Sequence, residues 1–155
     1  MSARPRRATP WWPTPQQTEA ALELLAVTPA PICWVPLTWL SGGCLVAARA
    51  LQRWGGGELM VAQLPQPEGD PYIEHVMVRV GEDRYLDAAG VHGGPEILAL
   101  MQATSGDGVW TAGRWMLVPC SAAVARWQIY DNRREVERLS MRLERLAMPP
   151  HGLAV

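Results

Sequence analysis

The sequence predicts an α+β fold: a central helix beginning at Cys44, packed on a small antiparallel sheet, with a long helix near the C-terminal end. Three observations predict it. Apolar residues recur at helical spacing over 15–27, 44–54 and 122–147. Runs rich in Val and alternating residues cluster between the second and the last of these. Glycine and proline groups punctuate the boundaries.

Residues 1–14 (MSARPRRATPWWPT) read as a flexible arm, because its prolines block helix formation. Trp11 and Trp12 are placed to anchor the end of that arm. Thr14-Pro15 opens a helix to about Val27, with Thr as N-cap and Pro at the first position. Ala21, Leu22, Leu25 and Ala26 share its apolar face. Pro29, Pro31 and Pro36 keep the next stretch out of helix.

Ser41-Gly42-Gly43 introduces the second helix, from Cys44 to about Trp54. It is apolar on nearly all sides, which predicts burial against a sheet. Gly55-Gly56-Gly57 ends it. Strands follow at 58–64, 74–80 and 84–88, the last two joined by a turn at Gly81-Glu82-Asp83. A short helix at 96–102 and a strand at 114–118 complete the core. Residues 15–148 thus read as one domain, with 149–155 as tail.

The long helix over 122–147 places Val136, Leu139, Leu143 and Leu146 on one stripe, with Ile129 and Asn132 in the same register. Its other face carries Arg133, Arg134, Arg138, Arg142 and Arg145 among glutamates. The stripe docks on its own domain or forms a homodimer seam with Asn132 setting register.

Composition bounds the function. The chain has 155 residues, 48% of them apolar and 19% charged, enough to bury a core. A net charge of −1 gives no electrostatic reason to expect nucleic acid or an anionic membrane as partner. No apolar run is long enough to span a bilayer, and the first residues lack the apolar region of a secretory signal. Three cysteines without regular spacing make a poor disulfide framework, so a reducing cytoplasm is the expected compartment. Every basic residue apart from histidine is Arg and there is no Phe, which reads as genome composition bias.

The chemistry-bearing residues are Cys44, His75 and Asp87. A thiol is a nucleophile only as thiolate, and a helix N-terminus favours that anion. Gly42-Gly43 carries no side chain to obstruct an approaching substrate, and the Cys44 N–H is placed to meet a developing oxyanion. His75 stands near the start of a strand, where it can take the thiol proton and return it to a leaving group. Asp87, on the return strand, can hold the second ring nitrogen.

Register decides whether His75 and Asp87 meet. If Val80 opposes Arg84 across a three-residue turn, His75 faces Ala89 and Asp87 faces Met77, diagonal neighbours about 7 Å apart. If Val80 opposes Tyr85, Asp87 points to the other face unless a bulge intervenes. The site therefore requires the three-residue turn or a bulge.

The segments SGGC44, EH75VMVRV and RYLD87AAG resemble the Cys-His-Asp core of the papain-like, transglutaminase-like and arylamine N-acetyltransferase-like superfamily. In the last of these a G-G-x-C segment precedes the nucleophile, and Asp lies in a Tyr-Leu-x-Asp-x-Gly segment. The match covers about residues 41–90, and the string HVxVRxGxxRYLDxxG is similar to one in small phage and mobile-element proteins. The resemblance implies a papain-like core and a thioester on Cys44, passed to water or an amine, with a protein or peptide as substrate and no cofactor.

The sequence departs from the papain-like pattern before the cysteine, where those proteases place a Gln. Here only Thr38, Ser41 or a backbone N–H such as that of Gly43 can complete an oxyanion hole. Trp39 is the candidate groove wall and His92 a candidate second polar group. Cys33 and Cys120 read as core, and Glu74 as solvated. A zinc site from Cys44, His75 and His92 lacks the usual ligand spacing. The competing reading is a catalytically silent binding protein, an inhibitor or adaptor acting through its arm and long helix.

Overall fold

The computed structural model describes residues 7–28, 43–104, 114–120 and 133–147. Among them are four helices and one five-stranded antiparallel sheet. In chain order these are α1 (Pro15–Val27), α2 (Cys44–Gly55), β1 (Glu58–Leu64), β2 (Tyr72–Gly81), β3 (Arg84–Asp87), β4 (Gly90–Gly93), α3 (Gly94–Thr104), β5 (Met116–Pro119) and α4 (Arg133–Ala147). The strand order is β4-β3-β2-β1-β5.

α1 begins where expected and carries a full capping box. Thr14 Oγ1 accepts from the Gln17 N–H at 3.1 Å, and Gln17 Oε1 accepts from the Thr14 N–H at 2.9 Å. Ala21 and Leu25 are its buried anchors. α2 presents Val46, Ala47, Ala48, Ala50 and Leu51, whose mostly small side chains let the helix lie close to its neighbours. Full burial of Leu51 stabilises the fold by roughly 2 kcal/mol.

The sheet has two covered faces. One carries Val61, Val76, Val78 and Leu86, packed with α1, α2 and with Leu139 and Leu143 of α4. The other carries Met60, Ala62, Met77 and Tyr85, packed with Ile97 and Met101 of α3 and with Trp115. α4 lies on α2 and reaches α1, where Arg142 Nη1 donates to Thr28 Oγ1 at 3.2 Å. The stripe read as a possible dimer seam is thus occupied inside the chain at Leu139 and Leu143, while Leu146 is exposed. Residues 122–132 of the expected helix, with Ile129 and Asn132, lie outside the described residues.

The described half of the N-terminal arm is pinned, not free. Thr9 bridges Gly57, the Trp12 N–H donates to the Gly55 carbonyl at 2.9 Å, and Trp11 meets Trp54 edge-on with ring centroids 5.8 Å apart. A side chain at Gly55 would strike the Trp11 ring, so this glycine makes the docking possible. Trp12 itself is exposed. Residues 1–6 of the expected flexible arm lie outside the described residues, as does the tail from 149.

Gly56 and Gly57 both have positive φ and turn the chain sharply from α2 into β1. The expected strand at 114–118 is found as β5, Met116–Pro119, and the short helix is longer than expected by two residues at each end. β4 was not expected. It is short and glycine-bounded, and it exists through pairing with β3, which no periodicity within four residues reveals. No helix among the described residues is long and apolar enough to cross a membrane.

Candidate active site

β2 sets the site through two bulges, one against β3 and one against β1. At the hairpin end Gly81 opposes Arg84, but Arg79 opposes Tyr85 and Val78 opposes Leu86. Val80 is the extra residue between them. The three-residue turn is therefore replaced by a two-residue loop, Glu82-Asp83, with a bulge that restores the required register. Asp83 takes the positive φ that this tight turn needs, and its Oδ1 accepts from the Gly94 N–H at 3.1 Å.

The second bulge lies before His75. Ala62 opposes His75 and Gln63 opposes Ile73, so Glu74 is the extra residue. His75 to Arg79 is a regular stretch between the two irregularities. His75 shares the face of Met77, and Asp87 shares the face of Tyr85, the α3 side of the sheet.

The predicted pair is made. His75 Nε2 and Asp87 Oδ2 are 2.8 Å apart and both residues are buried. Burial alone would raise the Asp87 pKa. Hydrogen bonds from His75 and from the Ala89 N–H, with the nearby imidazole charges, hold it below the ordinary value instead. Asp87 is thus ionised at neutral pH, and His75 donates to it.

Cys44 joins the same cluster. Burial pulls the His75 pKa down, but the hydrogen bond to Asp87 and the hydrogen bond and charge of Cys44 outweigh it, and the value rises to about 9. With Nε2 committed to Asp87, Nδ1 is the ring nitrogen left for the thiol. Cys44 itself is half-buried at the first position of α2. Its N-cap is Gly43, with no side-chain cap, in contrast to the doubly capped start of α1. The α2 N-terminus therefore presents N–H groups and a positive dipole end beside the thiol.

His92 and Glu96 add two further contacts, the first a candidate from the sequence and the second not. His92 stands opposite Tyr85 on β4, and its Nε2 lies 3.2 Å from Asp87 Oδ1. Its Nδ1 lies 3.5 Å from Glu96 Oε1, at the start of α3. His92 was a candidate polar group; Glu96 was missed, because its role depends on β4. The Glu74 side chain is exposed, as expected, and accepts a hydrogen bond from Tyr72 at 2.6 Å.

A cavity of about 580 Å³ opens on the α3 side, against His75 and Asp87. Ile97, Leu100 and Met101 form its apolar wall. Cys44 is not among its described lining residues. Thr38, Trp39 and Ser41, the other candidate groove residues, lie outside the described residues, as does Cys33. Cys120 is half-buried and burial raises its thiol pKa, consistent with a packing role.

No family model, curated protein or solved structure matches this chain. Among the described residues no group of three or more His, Cys, Asp or Glu side chains is arranged to hold a metal ion. What the cluster offers is a thiol at a helix N-terminus, an imidazole that binds a proton tightly, and a buried carboxylate that keeps that proton in place.

Proposed function

We propose that this protein is a cysteine-dependent hydrolase or acyltransferase with a papain-like core. Cys44 is its nucleophile, His75 its general acid and base, and Asp87 the residue that orients the imidazole. The observation that supports this most is the hydrogen bond of His75 to Asp87, with Cys44 at the start of α2 and near enough to raise the pKa of the imidazole.

The thiolate of Cys44 attacks an acyl carbonyl, and the N–H groups at the α2 N-terminus stabilise the oxyanion. As the tetrahedral intermediate collapses, the His75 imidazolium gives its proton to the leaving amine, and a thioester remains on Cys44. Water or an amine then attacks the thioester and loses a proton to His75. The thiolate departs and the imidazolium–thiolate pair is restored. Peptidase, amidase, deamidase and transferase reactions share these steps, and a protein or peptide is the expected acyl donor.

Mass spectrometry after incubation with a peptidyl ester tests this reading. An acyl adduct on Cys44 that forms and decays is expected, and it should be absent from Cys44→Ala. A protein that hydrolyses no ester and carries no adduct would favour the second reading, a silent binding protein on the same scaffold. One observation favours that alternative: the described cavity reaches His75 and Asp87 without reaching Cys44.

A further inference from the structure

We propose that the cavity on the α3 side binds the free amino terminus of a peptide whose first side chain is a large aliphatic group such as leucine. The apolar side chain lies against Ile97, Leu100 and Met101, and the ammonium sits at Glu74 and Glu96.

Size and lining support the aliphatic group. The cavity holds about 580 Å³, within the usual range for a small-ligand site. Its described lining joins the apolar wall of α3 to a polar end that carries Glu74, Asp87 and Glu96. The only basic groups among the described lining residues are the imidazoles of His75 and His92, and both are engaged with Asp87. No Arg lines it among the described residues, and the chain has no Lys.

Charge then selects the ligand. Glu74 accepts from Tyr72 through Oε2. Glu96 accepts from the Gly93 N–H at 3.4 Å and faces His92 at 3.5 Å. Each carboxylate keeps lone pairs for an ammonium, which brings three donors. A ligand carboxylate would meet three acidic groups against the one imidazolium of His75, already paired with Asp87, and be repelled. A peptide amino terminus, whose own carboxyl is tied up in an amide, fits better than a free amino acid. The inference makes no use of Cys44, so amine binding and acyl transfer succeed or fail separately.

The test is titration of the Cys44→Ala protein, which lacks the nucleophile, followed by methyl NMR of Ile97, Leu100 and Met101. Leucinamide, N-acetylleucinamide and leucine are compared. Leucinamide should shift these methyls saturably, with a dissociation constant roughly in the millimolar range for so small a ligand. N-acetylleucinamide and leucine should bind several-fold more weakly. Glu74→Gln and Glu96→Gln should each weaken leucinamide about threefold, the scale of an exposed ion pair. Leu100→Arg fills the wall from an exposed helix position and should abolish the shifts at Ile97 and Met101. Equal binding of leucinamide and its acetyl derivative, or no saturable shift with leucinamide, would overturn the proposal. Retained binding in Leu100→Arg would overturn it too.

Discussion

His75 Nε2 donates to Asp87 Oδ2 across 2.8 Å, joining two residues twelve apart in sequence and on adjacent strands. The contact exists because the Val80 bulge changes the register by one residue between the Glu82-Asp83 loop and Arg79. Without it, Asp87 would point to the α2 face and leave the imidazole without its carboxylate.

Replacing Asp87 with Asn keeps the shape and removes the charge. The hydrogen bond and charge of Asp87 help raise the His75 pKa to about 9. NMR titration of the His75 ring in Asp87→Asn should therefore give a lower pKa than in the wild type. Asp87→Ala also leaves the Ala89 N–H and the buried imidazole without their partner, and should destabilise by about 3 kcal/mol in urea unfolding.

The same values predict a pH dependence. His75 has a folded pKa near 9, above its ordinary 6.5, so its contribution to stability is complete below 6.5 and is lost as pH rises through 9. Asp87 is shifted down from 3.8, so its contribution is present above 3.8 and is lost as pH falls through its lower folded pKa. Urea midpoints should fall on both sides of this range. If His75 protonates the leaving group as proposed, acyl-transfer rates should also decline above pH 9, where its imidazolium disappears.

Much of this arrangement was legible in local sequence. Thr14-Pro15 marks α1, the glycines before and after α2 mark its ends, and Val-rich alternation marks β2. His75 and Asp87 could be paired because a hairpin fixes register within a few residues. The location of the bulges was not legible, because Val80 and Glu74 become extra residues only against particular partner strands. β4, and with it the contacts of His92 and Glu96, was hidden for the same reason. The pinning of Thr9 to Gly57 joins distant segments with no shared pattern.

Gly57 tests the chain's passage from α2 into the sheet. It has a φ of 82°, and a side chain there would lie 2.6 Å from Val78 Cγ1 and 2.7 Å from the Arg79 carbonyl oxygen. Gly57→Ala should cost roughly 2 kcal/mol or more in thermal or urea unfolding.

Ser140 is nearly inaccessible on α4, and its hydroxyl has no hydrogen-bond partner among the described residues. Removing the oxygen relieves an unsatisfied buried group, and alanine is the better helix former. Ser140→Ala should raise stability by about 1 kcal/mol, read as a higher Tm.

The central claim is that His75 activates Cys44. Its most direct test is the rate of Cys44 alkylation by iodoacetamide between pH 5 and 9, located by mass spectrometry, in the wild type and in His75→Gln. Gln can still donate to Asp87 but cannot carry the imidazolium charge. The account predicts rapid labelling of Cys44 below pH 7 in the wild type and much slower labelling in the variant. Labelling that follows an ordinary thiol, rising near pH 8.5 equally in both proteins, would contradict it.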